Sequence, residues 1–260
     1  MVAILGDDRA FIVKAVKEMY TDVANNPEKE FHFPTGRAAC VFVGYPDSEL
    51  DQLPESAVES FAGVGYPHKS NFIGKGDVVL DVGSGSGTDA LIACLRTGPT
   101  GKVYGLDMTK AMSEKLRENI GKMGVTNVEP LEGHADEIPL ADESVDVVTS
   151  NGVLNLVLDK QKAFNEIFRV LKSGGKVQIA DIVVGNPISD KCKEDPALWA
   201  ECVVGAALED QYIEMFRNAG FADVNAIHRF DYFEGSSSEN TRKVAGDFQA
   251  HTVELVMTKA

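Results

Sequence analysis

The chain has 260 residues, 44% of them hydrophobic, and a formal net charge of −15. That length and apolar fraction suit one or two globular domains with a sizeable core and exclude a disordered chain. No apolar run approaches the roughly 20 residues of a transmembrane helix. The acids are spread along the whole chain and no basic cluster offsets them, so a nucleic-acid substrate is not expected. Met1 to Arg9 carries Asp7 and Asp8 where a signal peptide would need a basic start and an apolar core. A cytoplasmic location without a membrane partner is therefore expected. The four cysteines, Cys40, Cys94, Cys192 and Cys202, show no metal-ligand spacing. Neither a metal nor a disulfide framework is expected.

In chain order, residues 7–25 read as a helix with Phe11, Ala15, Val16 and Met19 on one face and Asp7 or Asp8 as cap. Asn25-Asn26-Pro27 breaks it. Residues 27–52 read as loop with short extended pieces, and Pro54 to Phe61 as a short helix opened by Pro54. Gly63-Val64-Gly65-Tyr66-Pro67-His68 is a turn into the next region. Residues 1–72 are expected to form an N-terminal extension packed over the site borne by residues 73–260.

From Val78 onward strands and helices alternate. Strands are expected at Val78–Val82, Val103–Asp107, Val128–Glu132, Val145–Ser150 and Lys176–Val184. Helices are expected at Ala90–Arg96, at Thr109–Met123 (capped by Thr109, ended by Gly124) and at Lys160–Leu171, the last followed by a Ser173-Gly174-Gly175 turn. An insertion spans residues 185–207, read as a candidate lid, and a helix follows at Glu209–Ala219. Val224–Phe230 and Thr252–Thr258 would close the sheet, the last alternating like a half-exposed antiparallel strand. Ser236-Ser237-Ser238 reads as a loop. The expected fold is α/β: a seven-stranded, mostly parallel sheet with helices on both faces, an antiparallel last strand and an N-terminal helical extension.

The chemistry concentrates at the end of the first of these strands. Val78 to Val82 runs into Gly83-Ser84-Gly85-Ser86-Gly87 and then a helix, the order strand, glycine turn, helix N-terminus that brings bare amides close to a ligand. Gly83 and Gly85 fit the fingerprint of dinucleotide sites, but the third glycine comes one residue early, at Gly87. Asp107 ends the second strand about 20 residues downstream, where a ribose-binding carboxylate belongs.

Asp81 to Gly87, Asp107-Met108, Gly133-His134-Ala135-Asp136-Glu137-Ile138-Pro139 and Asp146-Val147-Val148-Thr149-Ser150-Asn151 resemble the successive motifs of the class I S-adenosylmethionine-dependent methyltransferases. The resemblance runs from about Val78 to Gly220 and implies a Rossmann-like fold. It implies S-adenosylmethionine as methyl donor, with S-adenosylhomocysteine as product. By the same resemblance, Asp81, Gly83, Ser84, Gly85 and Gly87 lie under the methionine and ribose part of the donor. Asp107 takes the ribose hydroxyls, Met108 packs on adenine, and Ala135 and Asp136 read its amino edge. Ser150 and Asn151 contact the methionine portion. His68, His134, His228 and His251 read as isolated side chains with structural roles.

Ser150 to Leu156, Ala180-Asp181-Ile182-Val183, Trp199 to Ala206, Gly63 to Pro67 and Arg37 to Cys40 resemble the arsenite methyltransferases more closely. That family holds arsenic(III) on cysteine thiolates, and soft thiolates suit a soft centre. Cys202 and Cys40 match two such cysteines and are the candidate acceptor ligands. Gly152 and Val64 stand where the resemblance calls for two more, and neither can ligate arsenic. The acceptor is therefore either arsenic held by fewer protein thiols or an unrelated organic small molecule in a pocket of Phe33, Phe42, Tyr45, Tyr66 and Trp199. A non-catalytic protein that binds the donor is a third reading. The sequence leaves the oligomeric state open.

Overall fold

The computed structural model describes residues 6–188 and 205–260. A seven-stranded sheet has the order β3-β2-β1-β4-β5-β7-β6. The strands are β1 (Val78–Val82), β2 (Lys102–Asp107), β3 (Val128–Glu132), β4 (Val145–Asn151), β5 (Leu171–Val183), β6 (Ala222–Phe230) and β7 (His251–Thr258). The first five run parallel, and β7 lies antiparallel between β5 and β6. This is the expected α/β architecture, antiparallel last strand included.

Successive residues of a strand face opposite sides, so β1 feeds two cores. Val79 packs with Ala90 and Leu91 of α5 (Thr88–Thr97), with Met112 and Leu116 of α6 (Lys110–Met123), and with Ile12 and Val16 of α1 (Gly6–Asn25). Leu80 and Val82 pack on the other side with Phe164 and Ile167 of α7 (Lys160–Val170) and with Tyr212 and Phe216 of α8 (Glu209–Ala219). Apolar strands buried on both faces are what a parallel sheet demands.

Several local expectations are corrected. The buried face of α1 is Ile12, Val16 and Val23, while Phe11 is 61% exposed; a one-residue step turns a side chain about 100° around a helix. Asp7 and Asp8 fall inside that helix rather than ahead of it. Residues 27–52 hold two short helices, α2 (Gly36–Phe42) and α3 (Asp47–Leu50), and α4 is limited to Glu55–Val58. Elements this short leave little periodicity to read. Thr109 occupies the N-cap of α6, but its side chain makes no capping bond. Gly124 ends α6 in the left-handed conformation, as expected.

Helix α7 stops at Val170 and β5 begins at Leu171, which pairs with Val145 before the register shifts at Val147. A further helix, α9 (Glu239–Phe248), has Ser238 as its N-cap, with the Ser238 side chain accepting from the Thr241 amide. β7 is not half-exposed: with strands on both sides, Thr252 to Leu255 are all buried, Glu254 included.

Candidate functional site

The carboxyl ends of β1, β2 and β4 open into a cavity with an empty volume of about 1190 Å³, open solvent included. This is the place where an open α/β sheet takes a ligand. Its floor is Gly83, Ser84 and Gly85, its far wall Met108, Ala135 and Asp136, and Asn151 stands at the end of β4. Helix α1 contributes Ile12, Val13, Val16 and Tyr20.

Asp107 is pinned at both oxygens. Its Oδ2 accepts from the Gly85 amide at 2.9 Å and its Oδ1 from the Thr109 amide at 2.8 Å. Burial holds its carboxyl above the ordinary carboxylate range against those bonds. The Gly83 and Ser84 amides both donate to Leu106 O, which fixes the loop to the end of β2. Ser84 Oγ is buried on the cavity floor without a hydrogen-bond partner. A buried hydroxyl left unpaired is costly, and a ligand with polar groups would satisfy it. The residues present thus fit a molecule carrying a ribose diol against Asp107 and polar atoms over the glycine loop.

Three expected contacts lie elsewhere. Asp81 is 2% exposed beneath the loop and accepts from Thr149 Oγ1 at 2.7 Å. Burial and the neighbouring Asp89 push its carboxyl well above the ordinary range. Gly87 forms the N-cap of α5, and its amide donates to Ser84 O. Ser150 is buried and donates to Val82 O at 2.9 Å. Asp81, Gly87 and Ser150 are absent from the cavity wall; they hold the loop and strand ends from behind.

Asn151 borders the cavity, yet its amide is occupied by protein. Oδ1 accepts from the Val64 and Gly65 amides, while Nδ2 donates to Gly65 O, Tyr45 OH and Asp89 Oδ2. Asp89, which sequence reasoning passed over, also lines the cavity. Nor is His68 isolated. It is 1% exposed, with Nδ1 3.2 Å from Gln178 Nε2 and Nε2 3.1 Å from Asp89 Oδ1. No sequence spacing announces such a network, because its members come from five separate stretches of the chain.

The acceptor side also differs from expectation. Cys40 is fully buried and absent from the cavity wall; burial, then the nearby Asp89, raises its thiol above the usual range, opposite to what a thiolate ligand needs. Cys202, Cys192, Trp199 and most of the 185–207 insertion lie outside the described residues. Phe33, Phe42, Tyr45 and Tyr66 are not on the cavity wall either. Instead Phe61, Leu156 and Leu158 supply apolar surface. The two positions lacking the expected cysteines touch: a Cβ on Gly152 would stand 3.2 Å from Val64 Cγ1. Cys94, 4% exposed, donates to Asn127 Oδ1 and is a core residue.

Residues 73–220 match the family described as a methyltransferase domain. The chain belongs to the methyltransferase domain family. An arsenite methyltransferase of Halobacterium salinarum is 37% identical over 206 residues, 79% of this chain and 52% of that protein. The chain thus spans about half the length of that curated relative. A solved arsenic(III) S-adenosylmethionine methyltransferase of Chlamydomonas reinhardtii is 28% identical with a TM-score of 0.65, covering 87% of this chain and 73% of the other. A demethylmenaquinone methyltransferase of Geobacillus is 29% identical over 58% of this chain and 73% of its own length.

This methyltransferase domain carries a further buried acid outside the cavity wall. Asp181, near the end of β5, accepts from Tyr212 OH at 2.7 Å, from the Asn155 amide and from the Ile182 amide, yet burial raises it from the 3.8 of an exposed aspartate to about 6. A carboxyl group raised on folding favours the folded state most below the unfolded value, and that contribution is lost as pH rises through the folded one. Unfolding in urea is therefore expected to show the wild type losing roughly 2 kcal/mol between pH 4 and pH 7 relative to Asp181→Asn. An equal pH profile for the two proteins would contradict this.

Proposed function

We propose that this chain is an S-adenosylmethionine-dependent methyltransferase acting on a small molecule, built on an arsenite-methyltransferase-like scaffold with a degenerate thiol site. The observation that carries the donor is Asp107, held by two backbone amides at the end of β2 with the glycine loop beside it. Asp107 would accept the ribose hydroxyls, Met108, Ala135 and Asp136 would border adenine, and Ser84 would meet polar atoms above the loop. Bound there, the donor supplies an electrophilic methyl group on a sulfonium. The protein's own part is alignment and exclusion of water. Residues 1–72 act as an extension over the site, because α1 lines the same cavity as the glycine loop. The remainder, residues 73–260, bears the catalytic machinery.

A second reading is favoured by the position of Cys40. With that thiol buried in the core, the described cavity carries apolar surface from Phe61, Leu156 and Leu158. An organic acceptor fits such a wall.

The test is methyl transfer from labelled S-adenosylmethionine to arsenite and to monomethylated trivalent arsenic with glutathione present, comparing wild type with Cys202→Ser and Cys40→Ser. Turnover that vanishes with Cys202 and survives Cys40→Ser is the result expected of a reduced thiol site. No turnover with normal donor binding would transfer the assignment to an organic acceptor. Failure to bind the donor at all would overturn both readings.

A further inference from the structure

The glycine loop offers a ligand fewer hydrogens than a strand, turn and helix corner ordinarily does. The Gly83 and Ser84 amides donate to Leu106 O, the Gly87 amide to Ser84 O and the Gly85 amide to Asp107 Oδ2. Hydroxyls on the wall are spent in the same way. Ser60 Oγ donates to Val23 O, while Ser86 Oγ and Thr88 Oγ1 both donate to Ala57 O. The Asn151 amide is likewise turned to protein acceptors. Ser84 Oγ remains, on the floor assigned to the donor.

The acids of the wall have no basic counterpart. Asp89, Asp107 and Asp136 line the cavity, and among the described residues no lysine or arginine does. His134 lines it two residues before Asp136, on the side assigned to adenine. Elsewhere the surface is apolar, from Ile12, Phe61, Leu156 and Leu158. An anion would approach against the field of a chain of net charge −15. It would then shed its water where those four loop amides are already taken and no cation replaces them, a costly exchange. A cation would meet the sulfonium of the donor instead.

We propose that the methyl acceptor is an uncharged molecule with an apolar body and a nucleophilic lone pair, and that anionic acceptors such as carboxylates and phosphates are turned away. The proposal rests on the donor assignment made above and narrows its acceptor. The lone pair forms the new bond to the methyl carbon as the carbon–sulfur bond breaks. That bond's electron pair stays on sulfur, which leaves as an uncharged thioether. The positive charge passes to the acceptor and is lost when a proton leaves it to water. Phe61 and Leu158 are specificity residues: they supply contact area and cannot solvate a negative charge.

The experiment is fluorescence titration of protein saturated with S-adenosylmethionine, using 2-naphthamide and 2-naphthoate as probes. The two share one ring system and differ by a single negative charge. Wild type is expected to bind 2-naphthamide at least tenfold more tightly than 2-naphthoate. Leu158→Lys puts a cation at a half-buried position of the wall, and should cut that ratio at least threefold by tightening 2-naphthoate. Equal or tighter binding of 2-naphthoate by wild type overturns the proposal, as does a failure to bind 2-naphthamide. So does a ratio that Leu158→Lys leaves unmoved. Should Leu158→Lys not fold, Val157→Lys places the charge on the adjoining wall residue and is judged by the same ratio. Protein that cannot be saturated with S-adenosylmethionine refutes the donor assignment instead.

Discussion

Asp107→Ala is expected to lower the affinity for S-adenosylmethionine by roughly 100- to 10,000-fold while leaving a folded protein. Two hydrogen bonds from ribose hydroxyls to a carboxylate are each worth about 1.5–3 kcal/mol, and alanine removes both. The fold should lose less. The Gly85 and Thr109 amides give up their acceptor, a cost of about 1–3 kcal/mol for each donor left buried. Removing the carboxylate also relieves the burial that pushes its pKa up. Because that value is raised, donor binding by wild type should weaken on acidification sooner than it would with an exposed aspartate, as the ribose contact needs the anion. Calorimetry at neutral and mildly acidic pH checks both points. Undiminished binding by Asp107→Ala would remove the basis of the donor assignment.

Gly83→Ala should be the most disruptive single methyl in the loop. Gly83 has φ +75°, and a Cβ there would lie 2.1 Å from Val153 Cγ2 and 2.9 Å from Val153 Cβ. Val153 is branched at that carbon, so rotation alone does not clear it. Left-handed strain of about 1–2 kcal/mol adds to overpacking of about 1–3 kcal/mol. Gly85→Ala provides the contrast: φ is +53°, but the nearest atom, Met112 Sδ, is 3.9 Å away. Only the strain remains there. Thermal unfolding should therefore place Gly83→Ala several degrees below Gly85→Ala. Since Val153 borders the cavity, Gly83→Ala should also bind the donor more weakly. Equal melting temperatures would mean that Val153 yields without cost.

The sheet was legible wherever an apolar, β-branched run met a glycine. Val78–Val82 and Val128–Glu132 are strands over the same residues as read; burial on both faces keeps the first run apolar throughout, whereas β3, at the sheet edge, buries only Val128. Helix α9 was not legible. Its stretch Glu239 to Phe248 is mostly polar and buries Thr241 and Ala245, too narrow a stripe to give a helical period. At the site, Gly83, Ser84, Gly85, Asp107, Met108, Ala135 and Asp136 meet around one cavity. Local patterns announced them because loop, strand end and ligand contact are neighbours in sequence. Ile12, Val16 and Tyr20 were out of reach: an amphipathic helix declares that it packs, not what it packs upon. Asn151 misled for a related reason. The strand end is where it was expected, but the amide is satisfied by backbone from residues far earlier in the chain.

That last arrangement bears on the order in which the molecule assembles. Asn151 ties Val64 across 87 positions of sequence and Tyr45 across 106. Contacts of such long range must wait until the intervening chain has collapsed, so the cavity rim at Gly63 to Gly65 closes only after β4 has joined β1. A nascent chain would own the glycine loop well before it owned a pocket, and ligand affinity would arrive as one of the last properties of folding.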